Sequence, residues 1–230
     1  MTRRTNAKLA GFTFFTYIAM GITGLTLGSQ VINGAEQTAS KLANIAQHQL
    51  TMQVIILLTL LQAGCALVLA ITLYALTRDL DRDLAVMAMC CRVGEGIIAV
   101  VAPLSTIALL SLATAGTITD GADLAAVNAL GDLLFKIEGS TGIIAATCFA
   151  VGSTLYCYLF LRGRSIPVPL AWLGVFASII LVVVLPLMLA GIIEGLVTKL
   201  IWLPMLVFEL ALALWLIIKG VAAPSRQSAL

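Results

Sequence analysis

The apolar positions of the chain fall into long stretches separated by short polar runs. Six stretches reach the roughly 20 residues that a helix needs to cross a bilayer core about 30 Å thick. They cover about 10–33, 52–77, 84–113, 131–161, 168–191 and 198–219. None alternates with period two, as strands of a membrane barrel would. The pattern predicts an all-α protein, a polytopic bundle of six membrane-spanning helices that forms a single transmembrane domain over residues 1–230.

The amino-acid composition is also typical of a protein embedded in a lipid bilayer. Hydrophobic residues make up 61% of the 230, charged residues only 10%, and the mean hydropathy is +1.09. These values lie outside the range of soluble domains and indicate an integral membrane protein whose partner is the lipid bilayer. The net charge of +2 gives no reason to expect nucleic acid as a partner.

The first apolar stretch follows the basic start MTRRTNAK and could be read as a cleavable signal. It is too long for a signal, and no small-x-small cleavage site precedes a soluble domain. We therefore expect it to remain as the first transmembrane helix.

The basic residues concentrate on one side of the predicted topology. At the start, the second and fourth connections and the end lie Arg3, Arg4, Lys8, Arg78, Arg82, Arg162, Arg164, Lys219 and Arg226. Only Lys41 and Lys199 lie in the other connections. Because cytoplasmic loops carry the excess of Lys and Arg, this asymmetry predicts a multi-pass protein of the cytoplasmic membrane with both termini inside.

The two longest connections, 34–51 and 114–130, are Ala-rich and polar, with weak turn signals in their second halves. We expect both to continue as helix into the following span. Neither is large enough for a separate domain.

Three prolines, Pro103, Pro186 and Pro204, lie in the third, fifth and sixth predicted helices. A proline inside a helix removes one backbone hydrogen bond and kinks the axis. In the predicted topology all three lie in the outer half, where kinks would splay the helices and open a cavity. The alternative is that neighbouring side chains fill the bends, since proline is common in membrane helices.

The stretch MCCRVGE at 89–95 places Arg92 and Glu95 inside the third helix. A charge near the bilayer centre costs about 2.5–3.5 kcal/mol, so each needs a partner. The i, i+3 spacing puts the two side chains on one helix face, where they can contact each other or share Glu209 of the sixth helix, which lies at matching depth. We expect Arg92 to bridge the third and sixth helices through Glu209. One negative charge is then in excess, which predicts either a protonated carboxyl group or a bound cation.

Three further polar residues lie within the predicted spans. Lys136 can extend its ammonium group toward the outer interface, whereas Glu138 is expected to face the cavity beneath the kinks. Gln62 adds a polar group in the middle of the second helix. Together with Glu95 they would line a polar pocket or route. The alternative is a structural network of interhelical hydrogen bonds worth about 0.6–2 kcal/mol each.

Metal and cofactor chemistry has little support in the sequence. The five cysteines lie within predicted helices without a CxxC pair, as buried thiols do: Cys65, Cys90, Cys91, Cys148 and Cys157. The single histidine, His48, cannot form a bis-histidine haem or multi-histidine zinc site by itself. No nucleotide-binding loop, HExxH or GxSxG is present. We expect no metal and no cofactor, and an enzyme is the least favoured class because no nucleophile–base pair accompanies the carboxylates.

Three segments, LYALTRDLDRDLAVMAMCCRVGEGI, GSTLYCYLFLRGRSIPVPLAWLG and FELALALWLIIKGV, carry a family resemblance over nearly the whole chain. In order and spacing the chain resembles the uncharacterised bacterial membrane proteins of the domain of unknown function 4386 family. The resemblance implies the same fold and topology, with Arg92, Glu95 and Glu209 at the family's polar positions. Family members often have a histidine near the start of the fourth helix, where this chain has Lys136 and Glu138. The resemblance implies no activity.

Two functional hypotheses follow from the sequence. The first is binding or transport of a small cationic or lipid-like ligand that enters from the outer side and meets Glu138 and Glu95. The second is a structural or assembly subunit of a larger membrane complex, in which the buried charges serve helix packing.

Overall fold

The structure is a computed structural model that describes residues 2–115, 121–195 and 197–222. Residues 116–120 of the second long connection and Arg226, which entered the charge argument, lie outside the described residues. Every regular element in the described ranges is a helix, so the all-α prediction is confirmed.

The helices are numbered in chain order: α1 (Arg3–Ile32), α2 (Thr38–Gln47), α3 (Gln49–Thr77), α4 (Arg82–Val101), α5 (Pro103–Thr114), α6 (Gly121–Arg162), α7 (Val168–Leu189), α8 (Val197–Leu200) and α9 (Trp202–Ile218). Five helical segments are long and apolar enough to cross a membrane, with α4 and α5 together forming one of them. The sixth predicted span corresponds to the shorter apolar helix α9, of 17 residues. This set of helices indicates a multi-pass membrane protein.

Six helices form a closed ring. In the order α1, α3, α4, α6, α7 and α9, each helix packs against the next, and α9 packs back against α1. We call the end of the ring where α1 begins and α9 ends the terminal end, and the opposite end the distal end. At the distal end α2 packs against α5, α1 and α6 over a small second core that includes Val31, Ile45 and Leu109.

The connections at the terminal end are short and held by charged residues. Asp81 caps α4 by accepting a hydrogen bond from the backbone N–H of Leu84 at 3.2 Å. The same carboxylate pairs with Arg162, at the end of α6, at 3.0 Å. The assignment of this basic end to the cytoplasm stays a prediction, which reporter fusions at the two termini would test.

The described part of the second long connection, from Gly121 on, continues as helix into the following span as predicted, whereas the first connection forms a separate helix. α6 begins at Gly121 and runs for 42 residues, about 63 Å, roughly twice the thickness of a bilayer core. The first connection forms α2, which is separated from α3 at His48.

The prolines interrupt two of the three helices in which they lie. Pro103 separates α4 from α5, and Pro204 lies four residues after Leu200, where α8 ends. A proline ring clashes with the carbonyl group of residue i−4 and offers it no hydrogen bond, which explains the break before α9. Pro186 instead lies inside α7, which continues to Leu189.

Large side chains fill the ring toward its terminal end. Residues of α1, α3, α6 and α9 meet there and are almost completely buried: Phe14, Leu73, Leu76, Phe160, Leu212 and Leu216. This core closes the centre of the ring on the side of the two termini.

Candidate functional site

A buried ion pair lies at the middle of the ring. Nη1 of Arg92 is 2.9 Å from Oε2 of Glu95, one turn away on α4, and the two side chains are 1% and 4% exposed. The hydroxyl group of Tyr17, on α1, donates a hydrogen bond to Oε1 of Glu95 at 2.6 Å. Glu95 thus has a hydrogen bond on Oε1 and an ion-pair contact on Oε2, although the geometry of that 2.9 Å contact is not that of a hydrogen bond.

The guanidinium group of Arg92 also lies between two aromatic rings. Its Cζ atom is 4.9 Å from the ring centre of Phe149, on α6, and 5.7 Å from that of Tyr17. These distances are within the range of cation–π contacts. The two rings stabilise the positive charge of a guanidinium group whose Nε, Nη1 and Nη2 atoms form no hydrogen bond among the described residues.

Two glycines bring neighbouring helices close to α4 at this level. A Cβ on Gly152, in α6, would lie 3.2 Å from the carbonyl oxygen of Ala88 and 3.3 Å from Cγ of Arg92. A Cβ on Gly96 would lie 3.0 Å from Cδ2 of Leu67, on α3. Small residues allow such close approach of membrane helices, which here buries the ion pair.

The predicted bridge from Arg92 to Glu209 is wrong. Within the described residues Arg92 pairs with Glu95 alone, and Oε1 of Glu209 is buried without a hydrogen-bond partner. Arg92 and Glu209 line a small cavity of about 10 Å³, together with Tyr156 and Ser153. Arg92 contacts Glu95 because both lie on α4, one turn apart on the same face. A contact with Glu209 would in addition require a particular rotation of α9.

A larger cavity of about 440 Å³ extends from this level toward the distal end. Glu95, Glu209, Tyr17 and Gln62 supply its polar groups near the middle of the ring. Its walls come from five helices and are mostly small or apolar: Ile18, Gly21, Ile22, Leu25, Thr59, Ala63, Ala66, Ala99, Ala102, Thr141, Gly142, Ala145, Ala146, Phe149, Trp202, Met205 and Leu206. The polar groups thus form a floor, and an apolar chamber lies beyond it.

The position of the chamber agrees with two of the prolines. Ala102, which lines it, immediately precedes Pro103, and Pro204 lies between the lining residues Trp202 and Met205. Pro186 is not among the residues that line it.

The chamber is open at its side, where exposed residues of three helices line it. Leu25 and Ile22 of α1 are 76% and 49% exposed, Trp202 of α9 is 36% exposed, and Gly142 of α6 is exposed as well. Leu25 lies seven residues before the end of α1 at Ile32, well inside the apolar stretch. If the apolar stretch of α1 crosses the bilayer, an opening at this depth faces acyl chains.

Of the remaining predicted polar residues, Glu138 and Lys136 lie apart from the floor, whereas Gln62 belongs to it. Glu138 is partly buried and accepts a hydrogen bond from Thr106, on α5, at 2.6 Å. It does not line the chamber, so the expectation that it faces the cavity is wrong. Lys136 is exposed, and because it lies two residues before Glu138 on one helix, the two side chains face different sides of α6. Nε2 of Gln62 approaches the carbonyl oxygen of Tyr17 at 3.5 Å and lines the chamber.

The sequence argument missed Tyr17 and Phe149, which complete the surroundings of Arg92 and Glu95. Tyr17 offered a signal, because a tyrosine in the middle of an apolar helix needs a partner for its hydroxyl group. Phe149 offered none, since a phenylalanine on a membrane helix is equally suited to face lipid. The alanines and glycines that line the chamber are visible in the sequence as small residues. That they surround a cavity depends on several helices turning them toward the same space.

Comparison with known proteins identifies the family. Residues 9–220 match a protein family described as "Domain of unknown function (DUF4386)". A search of the curated proteins and a search of the solved structures each found no match. Because the match covers nearly the whole chain, as the sequence resemblance implied, the chain belongs to the domain of unknown function 4386 family.

Proposed function

We propose that the protein binds a small, largely apolar ligand in the chamber inside the helix ring. The observation that carries this proposal is an apolar cavity of about 440 Å³ that ends on a floor of a few polar groups. Binding sites for small molecules typically have volumes of about 300–1,000 Å³, apolar walls and a few polar groups that orient the ligand. Intramembrane ionisable residues commonly mark such sites.

The packed core favours binding over passage through an open pore. Phe14, Leu73 and Phe160 are buried between the polar floor and the terminal end, with at most 4% of their surface exposed. A ligand on the floor would have to displace these side chains to continue. Transport therefore requires a rearrangement of the helices, whereas binding requires none.

Native mass spectrometry of the gently solubilised protein tests the proposal. We expect a small adduct above the mass of the 24.2 kDa chain. The variant Ala145→Phe fills the chamber and is expected to lose the adduct, because a phenyl group would occupy the ligand's space. The matched control is Ile144→Phe at the neighbouring residue, which is 43% exposed and does not line the chamber.

Two outcomes would contradict ligand binding. The first is a wild-type chain that carries no small adduct, and the second is an adduct that Ala145→Phe retains as fully as Ile144→Phe does. A co-purifying protein in place of a small molecule would instead support the structural or assembly role.

A further inference from the structure

The three carboxylates that the sequence singles out differ in what their oxygens contact. Glu95 has Arg92 on one oxygen and Tyr17 on the other. Glu138 accepts from Thr106 and lies outside the chamber. Glu209 is 6% exposed, lines the chamber, and has a buried Oε1 without a partner among the described residues.

The balance of charge on the floor points to the same residue. Arg92 is paired with Glu95 at 2.9 Å, and Glu209, which shares a small cavity with Arg92, has no ion-pair partner within 4 Å in the described part of the chain. An unpaired charge in an apolar interior is costly, so a cation beside it would stabilise the site. An ammonium group suits this position because it offers several N–H donors for strong hydrogen bonds to a carboxylate.

The rest of the chamber indicates what carries the ammonium group. Between the floor and the opening the walls are formed by side chains such as Ala99, Ala145 and Leu206, which offer no further counter-charge. The opening at Ile22 and Leu25 is aliphatic and exposed at the depth of the acyl chains. An amphiphile dissolved in the bilayer can therefore enter sideways beside Ile22 and Leu25 of α1 and leave its apolar tail in the opening.

Building on the proposed function, we propose that Glu209 binds the ammonium group of an amphiphilic amine that enters the chamber from the bilayer. The ligand class is a monovalent amine with N–H protons and an unbranched or compact apolar body. Glu95 and Glu138 do not contact its charge.

Decylamine and 1-decanol form a matched pair of probes, because they share the apolar chain and differ in the charged head group. Binding of each is measured at pH 7 to the protein in lipid nanodiscs, for the wild type, Glu209→Gln and Glu138→Gln. We expect the wild type to bind decylamine at least tenfold more tightly than decanol. Glu209→Gln is expected to lose that preference while still binding decanol, and Glu138→Gln is expected to keep it.

A second variant covers the case in which Glu209→Gln fails to fold. Leu206→Lys introduces an ammonium group three residues from Glu209, on the same helix face and in the same chamber. The introduced ammonium group would pair with the carboxylate of Glu209 in place of a ligand amine. The preference for decylamine is therefore expected to disappear although Glu209 is retained.

The outcomes separate this inference from the proposed function. If the wild type binds both probes equally, or if Glu209→Gln or Leu206→Lys keeps the preference, the assignment to Glu209 is overturned while ligand binding in the chamber stands. If the wild type binds neither probe, or if Ala145→Phe binds both as well as the wild type does, the proposed function fails together with the inference.

Discussion

The terminal and distal halves of the ring are built from the same helices and differ in the size of the side chains that face the centre. Toward the terminal end, Phe14, Leu73 and Phe160 meet and leave the centre filled. Toward the distal end, residues such as Ala66 and Ala145 face a chamber of about 440 Å³. The same ring of helices surrounds the centre in both halves, and the volume of the inward side chains decides whether that centre is a packed core or a cavity.

The polar floor lies at the boundary between the two halves. On its terminal side Arg92 and Glu209 line a cavity of only about 10 Å³, and on its distal side Glu95 and Glu209 line the chamber. The floor is therefore held by close packing from one side and is accessible to a ligand from the other. Such an arrangement keeps the polar groups in place without a ligand bound.

The largest expected effect comes from removing the positive charge at this boundary. Arg92→Met leaves Glu95 without its ion pair in the interior, and loss of one partner of a buried pair costs about 3–5 kcal/mol. We expect a strong decrease in the thermal unfolding midpoint of the purified protein in detergent. The double variant Arg92→Met/Glu95→Gln is expected to recover part of the loss, because it removes the unpaired charge as well. Equal stability of Arg92→Met and the wild type would mean that the ion pair does not hold the floor.

A second comparison truncates one large side chain in each half. Leu73→Ala, in the packed half, should lower the free energy of unfolding by about 2–5 kcal/mol because it creates a new cavity. Ile18→Ala is the matched change beside the chamber, which Ile18 already lines on one side. Its cost should lie at the lower end of that range, because the side chain has fewer contacts to lose. Denaturant titrations of both variants would measure the difference, and a larger cost at Ile18 would argue that the chamber is filled in solution.

The smallest effects are expected from two glycines that receive the same methyl group. A Cβ on Gly174, in α7, would lie 2.5 Å from Cε2 of Phe208 and 2.6 Å from Sγ of Cys157. Gly174→Ala should therefore destabilise the protein by about 1–3 kcal/mol through overpacking. A Cβ on Gly142, which lines the chamber, meets no atom within 4 Å, so Gly142→Ala should be neutral or stabilising by up to about 1 kcal/mol.

Thermal unfolding of these two glycine variants side by side is the measurement. Opposite signs would sharpen the contrast between the halves. A loss of stability in Gly142→Ala as large as that in Gly174→Ala would indicate that no open space lies beside Gly142.

Much of the fold could be predicted from the sequence because the bilayer strongly restricts which backbone structures are stable. A bilayer leaves backbone groups no partner except other backbone groups, so long apolar stretches must be helices. The continuation of α6 through residues 121–130 followed from the lack of strong turn signals, and the breaks near Pro103 and Pro204 followed from the missing N–H group. The helix boundary at His48 was not predicted, because the surrounding residues carry no comparable local signal.

The candidate site was only partly readable for a different reason. Arg92 and Glu95 need partners because they are charged and lie in an apolar segment. Their i, i+3 spacing places each within reach of the other. Glu138 was expected in the chamber on the same reasoning. A hydroxyl group on α5, from Thr106, satisfies it instead, and no local pattern in α6 pointed to that residue.

The class of protein, the helices and the residues that need polar partners follow from local composition and from the absence of water in the bilayer, so the amino-acid pattern was enough to predict them. Helix packing was needed to show that Tyr17 donates to Glu95, that Oε1 of Glu209 has no hydrogen-bond partner among the described residues, and that small side chains from five helices leave a common space. These features depend on the rotation of each helix about its axis and on the order of helices around the ring. Many rotations hide the same charges equally well, so packing against neighbours has to select one.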